Sequence, residues 1–472
     1  MKQILYTIVA LLGIMMSTTA CNDWLDVSPE TEKKQEDMFS KETGYRNVLT
    51  GAYIRMKSTS LYGAEMVHGT VEMLAQHWNN STAGTFEYYL SMYDYKASTV
   101  ESAFSSIYSN LYKVIADVNG LLEDIDANKD VFKEDNYELI KAEALGIRAF
   151  CHFDILRLFG PMPTNLPSEA ILPYVTTVST TPNSKITYEA YTQNLLKDLQ
   201  EAEDLFKDRD PICFKSIEKL NSISSSEDTY WGYRQMRMNY YAVCATKARV
   251  HLWMGNKTEA LKYAKLVMDA KDESGNKMYR LGNSDDCARL DYTLSCEHIF
   301  NMNVYDLAST ALGTARGYEK EKGYLTSKLY GSGSTDIRLT YMWDYVYDSY
   351  WWTYNNYFKK YLQSDNMPTL SKNSIPLIRL YEMYLIAMEC STLEEATTLY
   401  KDMCVARDIP SVTITDIAQL TNILVLEYNK EFYGEGQAFY AYKRLAIEDI
   451  FYALEPGSIS TYVIPLPTSE TI

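Results

Sequence analysis

Two short stretches place flat aromatic rings beside groups that donate and accept hydrogen bonds. His77-Trp78-Asn79-Asn80 sets an indole next to two amides, and Tyr350-Trp351-Trp352 sets three rings in a row. A sugar presents flat C–H faces and many hydroxyls, so a ring supplies contact area while an amide, acid or guanidinium beside it fixes orientation. Such groupings suit capture rather than bond-making. Trp78, Asn79 and Asn80 are therefore the first candidate ligand contacts, and Tyr350, Trp351 and Trp352 the second. Trp231, in another polar region, is the third. The same residues would also serve as loop anchors and turn formers. Adjacent residues cannot all point one way on a strand or helix, so at least one of Trp351 and Trp352 is expected to face solvent or a partner. Trp253, in a periodic stretch beside Val250 and Met254, is expected in the core.

Catalytic groupings are weaker. A glycosidase needs two carboxylates about 5–10 Å apart across the sugar bond, but 62 acids make some such pair unavoidable, so their abundance carries no weight. The chain has no GxSxG, HExxH or GxxxxGK[ST] pattern. His68 and His77 share a segment without a clear third ligand, and His152, His251 and His298 are isolated in sequence. No Asp-rich loop spells out a calcium site. No catalytic residue, metal or cofactor is expected.

Cys21 points to a different chemistry. Lys2 precedes an apolar run from Ile4 to Met16, too short to span a bilayer comfortably, and Ser17 to Ala20 are small residues of the kind a signal peptidase needs. A cysteine placed next can carry diacylglycerol on its sulfur and an acyl chain on its freed amine, which together hold firmly to a membrane. Residues 1–20 are expected to be a lipoprotein signal peptide and 21–37 a lipidated tether. Thr18 stands where Leu is commonest, and ordinary cleavage leaving Cys21 free is the alternative. The other seven cysteines form no CxxC pair and are expected as small core residues; Cys287 and Cys296 are the pair that would bridge a loop. A formal net charge of −17 argues against nucleic acid or anionic membrane as a general partner. The 41 tyrosines suit both helix packing and sugar or peptide recognition.

The elements that must position these residues read as mainly α. Apolar positions predict a first helix over 38–56, a second from Phe104 to Ile125, and the strongest from Asn136 to Phe159, ended by Gly160-Pro161. Another runs from Tyr188 to Phe206. Met238–Met254 and Pro376–Cys390 each read as a helix followed by a capping box, Asn256 with Glu259 and Ser391 with Glu394. Small residues in the second helix of each pair make this a degenerate tetratricopeptide-like repeat. Residues 271–370 are rich in Gly, Ser, Asn and Asp, read as loops, and contain the aromatic run from Trp343 to Tyr361. Tyr462 to Pro467 reads as an extended tail.

Several stretches carry a family resemblance in order along nearly the whole chain: CNDWLDVSPE from Cys21, GYRNVLTGAY, IYSNLYKVIADVNGLLEDI, AEALGIRAFCHFDILRLFGPMP, DIRLT, FKKY, IPLIRLYEMYLIAMEC, EFYGEGQAFYAYKR and YVIPLP. The chain resembles the SusD/RagB family of nutrient-binding outer-membrane lipoproteins of Bacteroidetes-type bacteria. It departs where Tyr428 follows Glu427 and where Gln437 stands in place of His or Arg. The resemblance implies a tetratricopeptide-like helical scaffold with a loop-rich ligand-binding region, residues 38–270 and 271–472 completing one composite domain. It further implies a protein on the outer face of the outer membrane that passes oligosaccharide, or sometimes peptide, to a SusC-like TonB-dependent transporter. A non-catalytic structural surface protein is the other reading. Asp336 and Arg338 match the family's Asp-x-Arg and imply a buried ion pair; Glu435 and Arg444 of the terminal motif carry the same structural implication.

Overall fold

The computed structural model describes residues 37–78, 82–222, 228–314, 324–349 and 352–470. The helices of eight residues or more among them are α1 (Glu42–Met56), α2 (Ser98–Ile125), α3 (Asn136–Phe159), α4 (Tyr188–Phe206), α5 (Tyr240–Trp253), α6 (Lys257–Met268), α7 (Leu307–Thr314), α8 (Leu380–Cys390), α9 (Leu393–Arg407), α10 (Ile417–Glu431) and α11 (Ala438–Leu445). The strands are β1 (His298–Asn303), β2 (Trp343–Asp348), β3 (Thr353–Phe358) and β4 (Ser374–Arg379). None of the described helices is long and apolar enough to cross a membrane.

The scaffold grows by neighbour packing: α2 on α3, α3 on α4, α4 on α5, α5 on α6, α6 on α8 and α8 on α9. This is the geometry of stacked helix pairs, each hiding an apolar stripe that it could not bury alone. At its centre, every side chain of α3 from Ala142 to Phe159 is buried. Polar groups there must be paired. Glu143 accepts from Arg234 and Arg237, Arg148 holds Asp198 at 2.6 Å, and Asp154 accepts from Tyr62 at 2.6 Å and from Arg157. Lys443 of α11 closes the helix by donating to the carbonyls of Arg157, Leu158 and Gly160 at 2.8–3.0 Å. A cation at a helix C-terminus also meets the negative end of its dipole.

Four local expectations change. Residues 376–379 are not the start of a helix: they belong to β4, which pairs antiparallel with β1, and α8 begins only at Leu380. Pro376 has no N–H to give a helix, and the run Ser-Ile-Pro-Leu-Ile-Arg is buried on both faces as strand. The cap of α9 is Thr392 rather than Ser391, its hydroxyl accepting from the Glu395 N–H. Asn256 does cap α6 by accepting from the Glu259 N–H, but its own N–H bonds to the His251 carbonyl, so the glutamate half of the box is not formed. Cys287 and Cys296 are free thiols rather than a bridge.

Beneath the loop-rich region lies a buried charge lattice. Arg379, at the end of β4, reaches Glu297 at 2.8 Å, Glu431 at 2.6 Å and Glu435 at 2.7 Å. Arg407 of α9 meets Glu297 and Glu431, both at 2.7 Å. Arg338 holds Asp336 and Glu427, both at 2.7 Å, and Glu431 at 3.0 Å. Lys360 donates to Glu435 and to the carbonyls of Glu431 and Tyr433. Four cations thus face five carboxylates with each charge partnered, the condition under which buried ions are tolerated. Arg444 stands outside this lattice and pairs with Glu389 at 2.5 Å.

Candidate functional site

The aromatic run from Trp343 forms an antiparallel hairpin rather than a loop. Its β2 sequence Trp-Asp-Tyr-Val-Tyr-Asp alternates strictly, and β3 answers with β-branched and aromatic residues, the chemistry of a pleated ribbon. The register pairs Trp343 with Phe358, Tyr345 with Asn356 and Tyr347 with Tyr354, so these six share one face.

That face runs from buried to exposed. At its root, Trp343 and Phe358 each lie 5.1 Å from the Tyr433 ring, and Trp78 meets Tyr433 edge-on at 4.9 Å. Further out, Tyr345 and Tyr354 stack at 4.8 Å with planes 19° apart, and Tyr347 lies 5.0 Å from Tyr354. Tyr345, Tyr347 and Tyr354 are 48%, 44% and 55% exposed. The result is an accessible tyrosine platform on a ribbon anchored in the core.

The opposite face borders a recess of about 200 Å³ between the hairpin root and α7. Ala308 and Ala311 form one wall, Tyr357 and Leu362 the other, and Asp344 and Lys359 add polar groups, paired at 2.8 Å. Its walls are largely apolar, with one ion pair among them.

The early loop supports the hairpin from below. Glu72 accepts from the Gly434 and Gly436 N–H groups at 2.6 and 2.7 Å and lies 2.5 Å from His77 Nδ1. His77 Nε2 lies 2.8 Å from Asn429 Oδ1, and the imidazole stacks on Tyr433 at 4.3 Å. Gly436 sits at φ 68°, where a Cβ would meet the Met66 carbonyl oxygen at 2.5 Å, so this approach of two loops requires glycine.

The expected contacts separate accordingly. Trp78 is only 2% exposed, so its ring is part of the floor and offers no open stacking face. Asn79, Asn80, Tyr350, Trp351 and Cys21 lie outside the described residues. Trp352 is 82% exposed at the hairpin tip with φ 53°. Trp231 is half-buried elsewhere: its indole N–H donates to Asn136 at 2.7 Å, and Arg234, Arg237 and Arg46 lie over its ring. The sequence reading counted Tyr345, Tyr347 and Tyr354 in an aromatic run without assigning them to the site; the two-residue alternation from Trp343 was the signal that groups the two from β2.

Among the described residues that line the recess, the one carboxylate is Asp344. Asp344 is engaged by Lys359. Burial pushes His68 down to about 4 and His152 and His298 to about 3, so these imidazoles are neutral at neutral pH. Among the described residues no group of three His, Cys, Asp or Glu side chains is arranged to hold a metal ion.

The helical scaffold that presents this platform has a SusD-like fold, as comparisons with known proteins show. Residues 23–219 match the model of a SusD-like family described as starch-binding and associating with the outer membrane. SusD-like protein P25 of Formosa agariphila is 24% identical over 161 residues, a match spanning 33% of this chain and 30% of that protein. A SusD-like carbohydrate binding protein from Bacteroides vulgatus superposes with TM-score 0.69 at 18% identity, covering 91% of this chain and 96% of its own. A laminarin binding SusD-like protein does so with TM-score 0.58 at 15% identity, over 91% and 97%. Residues 23–219 thus match a SusD-like family, and over the rest of the chain the likeness to these proteins is one of fold.

Proposed function

We propose that this chain is a non-catalytic receptor, held by lipid on Cys21 at the outer face of the outer membrane, that captures oligosaccharide and passes it to a SusC-like TonB-dependent transporter. The observation that carries the reading is the exposed tyrosine platform of Tyr345, Tyr347 and Tyr354, with Trp352 at the hairpin tip. Tyrosine rings cover the C–H face of a sugar while their hydroxyls meet its hydroxyls. The recess on the other face adds a compartment of single-sugar scale, with Asp344 and Lys359 supplying an acceptor and a donor. The family's description and the laminarin binding relative support glycan as the ligand class.

The test is binding of the purified protein to a panel of oligosaccharides, with peptides alongside, repeated with Tyr345→Ala/Tyr354→Ala and with Trp352→Ala. Saturable glycan binding weakened in the tyrosine variant supports both ligand class and site. Glycan binding untouched by either variant moves the site away from the hairpin. Peptide binding without glycan binding replaces the ligand class. Co-purification of the native protein with a TonB-dependent channel tests the delivery step.

A further inference from the structure

Away from the hairpin, α3, α5, α8, α10 and α11 meet around a cavity of about 30 Å³. Its walls include Arg157 of α3, Arg249 and Trp253 of α5, Glu382 of α8, and Tyr440 and Arg444 of α11. Three hydrogen-bonding groups of these wall residues are buried with no partner among the described residues: Arg249 Nη1, Trp253 Nε1 and the Tyr440 hydroxyl. The residues that carry them are 5%, 3% and 4% exposed.

A guanidinium and an indole N–H can only donate, and a phenol can donate. Burying one such donor unmade is costly, and three around one small space call for a common acceptor. The carboxylates nearby are each held by an arginine. Glu382 takes Arg249 through Nε and Nη2, Glu389 takes both terminal nitrogens of Arg444, and Asp154 takes Arg157. Three arginines and one carboxylate line the space, so its walls are positive on the side that faces inward.

The space among these side chains has room for a species of water's size. Water accepts two hydrogen bonds and brings two hydrogens that need acceptors of their own. A monatomic anion accepts from any direction and brings none. We infer that this cavity is a structural halide site, occupied by chloride, with Arg249, Trp253 and Tyr440 as its donors. The ion would join α5, through Arg249 and Trp253, to α11, through Tyr440. The inference is independent of the ligand read at the hairpin.

Crystals of the purified protein grown with bromide in place of chloride decide it directly. An anomalous peak in the cavity within hydrogen-bond distance of the three donors is expected, and ordered water without anomalous signal overturns the inference. In solution, exchanging gluconate for chloride at constant ionic strength, from about 10 to about 300 mM, is expected to raise Tm by about 3 °C. The ring-preserving double variant Trp253→Phe/Tyr440→Phe should lose that dependence; an equal rise in both proteins overturns the assignment. Should the double variant not fold, the bromide experiment on the unaltered protein stands alone.

Discussion

Trp343 and Tyr433 meet edge to face with ring centroids 5.1 Å apart, and this contact fastens the hairpin to the terminal motif. Tyr433 is fully buried and also touches His77, Trp78 and Phe358. Replacing it with alanine leaves a void under the ribbon, so Tyr433→Ala is expected to lose about 3–5 kcal/mol of stability in chemical denaturation. Ligand affinity should fall with it, although Tyr433 itself lies beneath the platform. A stable variant with intact binding would show that the hairpin holds its shape unaided.

The platform residues predict the opposite pattern. Tyr345→Ala and Tyr354→Ala remove half-exposed rings, and each is expected to weaken glycan binding about 5- to 10-fold in calorimetric titration. Tm should move by no more than about 2 °C, since exposed substitutions seldom cost much. The two rings stack on each other, so the double variant should lose less than the product of the single losses.

Glu431 ties three arginines together, and its titration sets an acid limit. Burial pushes its carboxyl up, but Arg407 and Arg379 outweigh that and hold it well below its ordinary value of 4.5. A depressed native pKa means the unfolded chain binds the proton more readily. The stability it contributes is therefore whole above pH about 4.5 and is lost as pH falls further. Glu431→Gln should flatten that part of the stability–pH curve while lowering stability at neutral pH by about 3–5 kcal/mol, because it leaves buried arginines short of charge. An unchanged acid slope in the variant would assign the limit to other carboxylates.

Glycine substitutions should separate conformational strain from close approach. Gly331 has φ 86° with open space where a Cβ would go, whereas Gly436 combines φ 68° with the Met66 carbonyl at 2.5 Å. Gly331→Ala should cost about 1 kcal/mol from backbone strain alone. Gly436→Ala should cost clearly more, since the loop must also retreat and loosen the N–H bond to Glu72. Equal costs in thermal unfolding would remove the close approach from the account.

The parts of this fold that were legible in sequence are those whose signal is local. The periodicity from Asn136 to Phe159, with its Gly-Pro stop, gives α3 the bounds it has in the structure. Residues 376–379 read as helix because the short apolar run from Ile375 to Ile378 fits either period, and the strand they pair with begins 76 residues before Ser374, at His298. Trp78 looked like an exposed platform because the residue that covers it, Tyr433, is distant in the chain. Among the platform tyrosines, the alternation was readable, but which face would be open depended on where Trp343 and Phe358 met the core. The lattice partners of Arg338 had no local signal beyond Asp336, since Glu427 and Glu431 lie some 90 residues on.

The root pair of the hairpin, Trp343 and Phe358, packs on Tyr433, and the exposed tyrosines lie beyond it. Under the receptor role proposed above, the ribbon past that pair can change its side chains while the scaffold and its ion lattice stay as they are. Grafting that segment from one relative onto another would then transplant ligand choice without rebuilding the molecule.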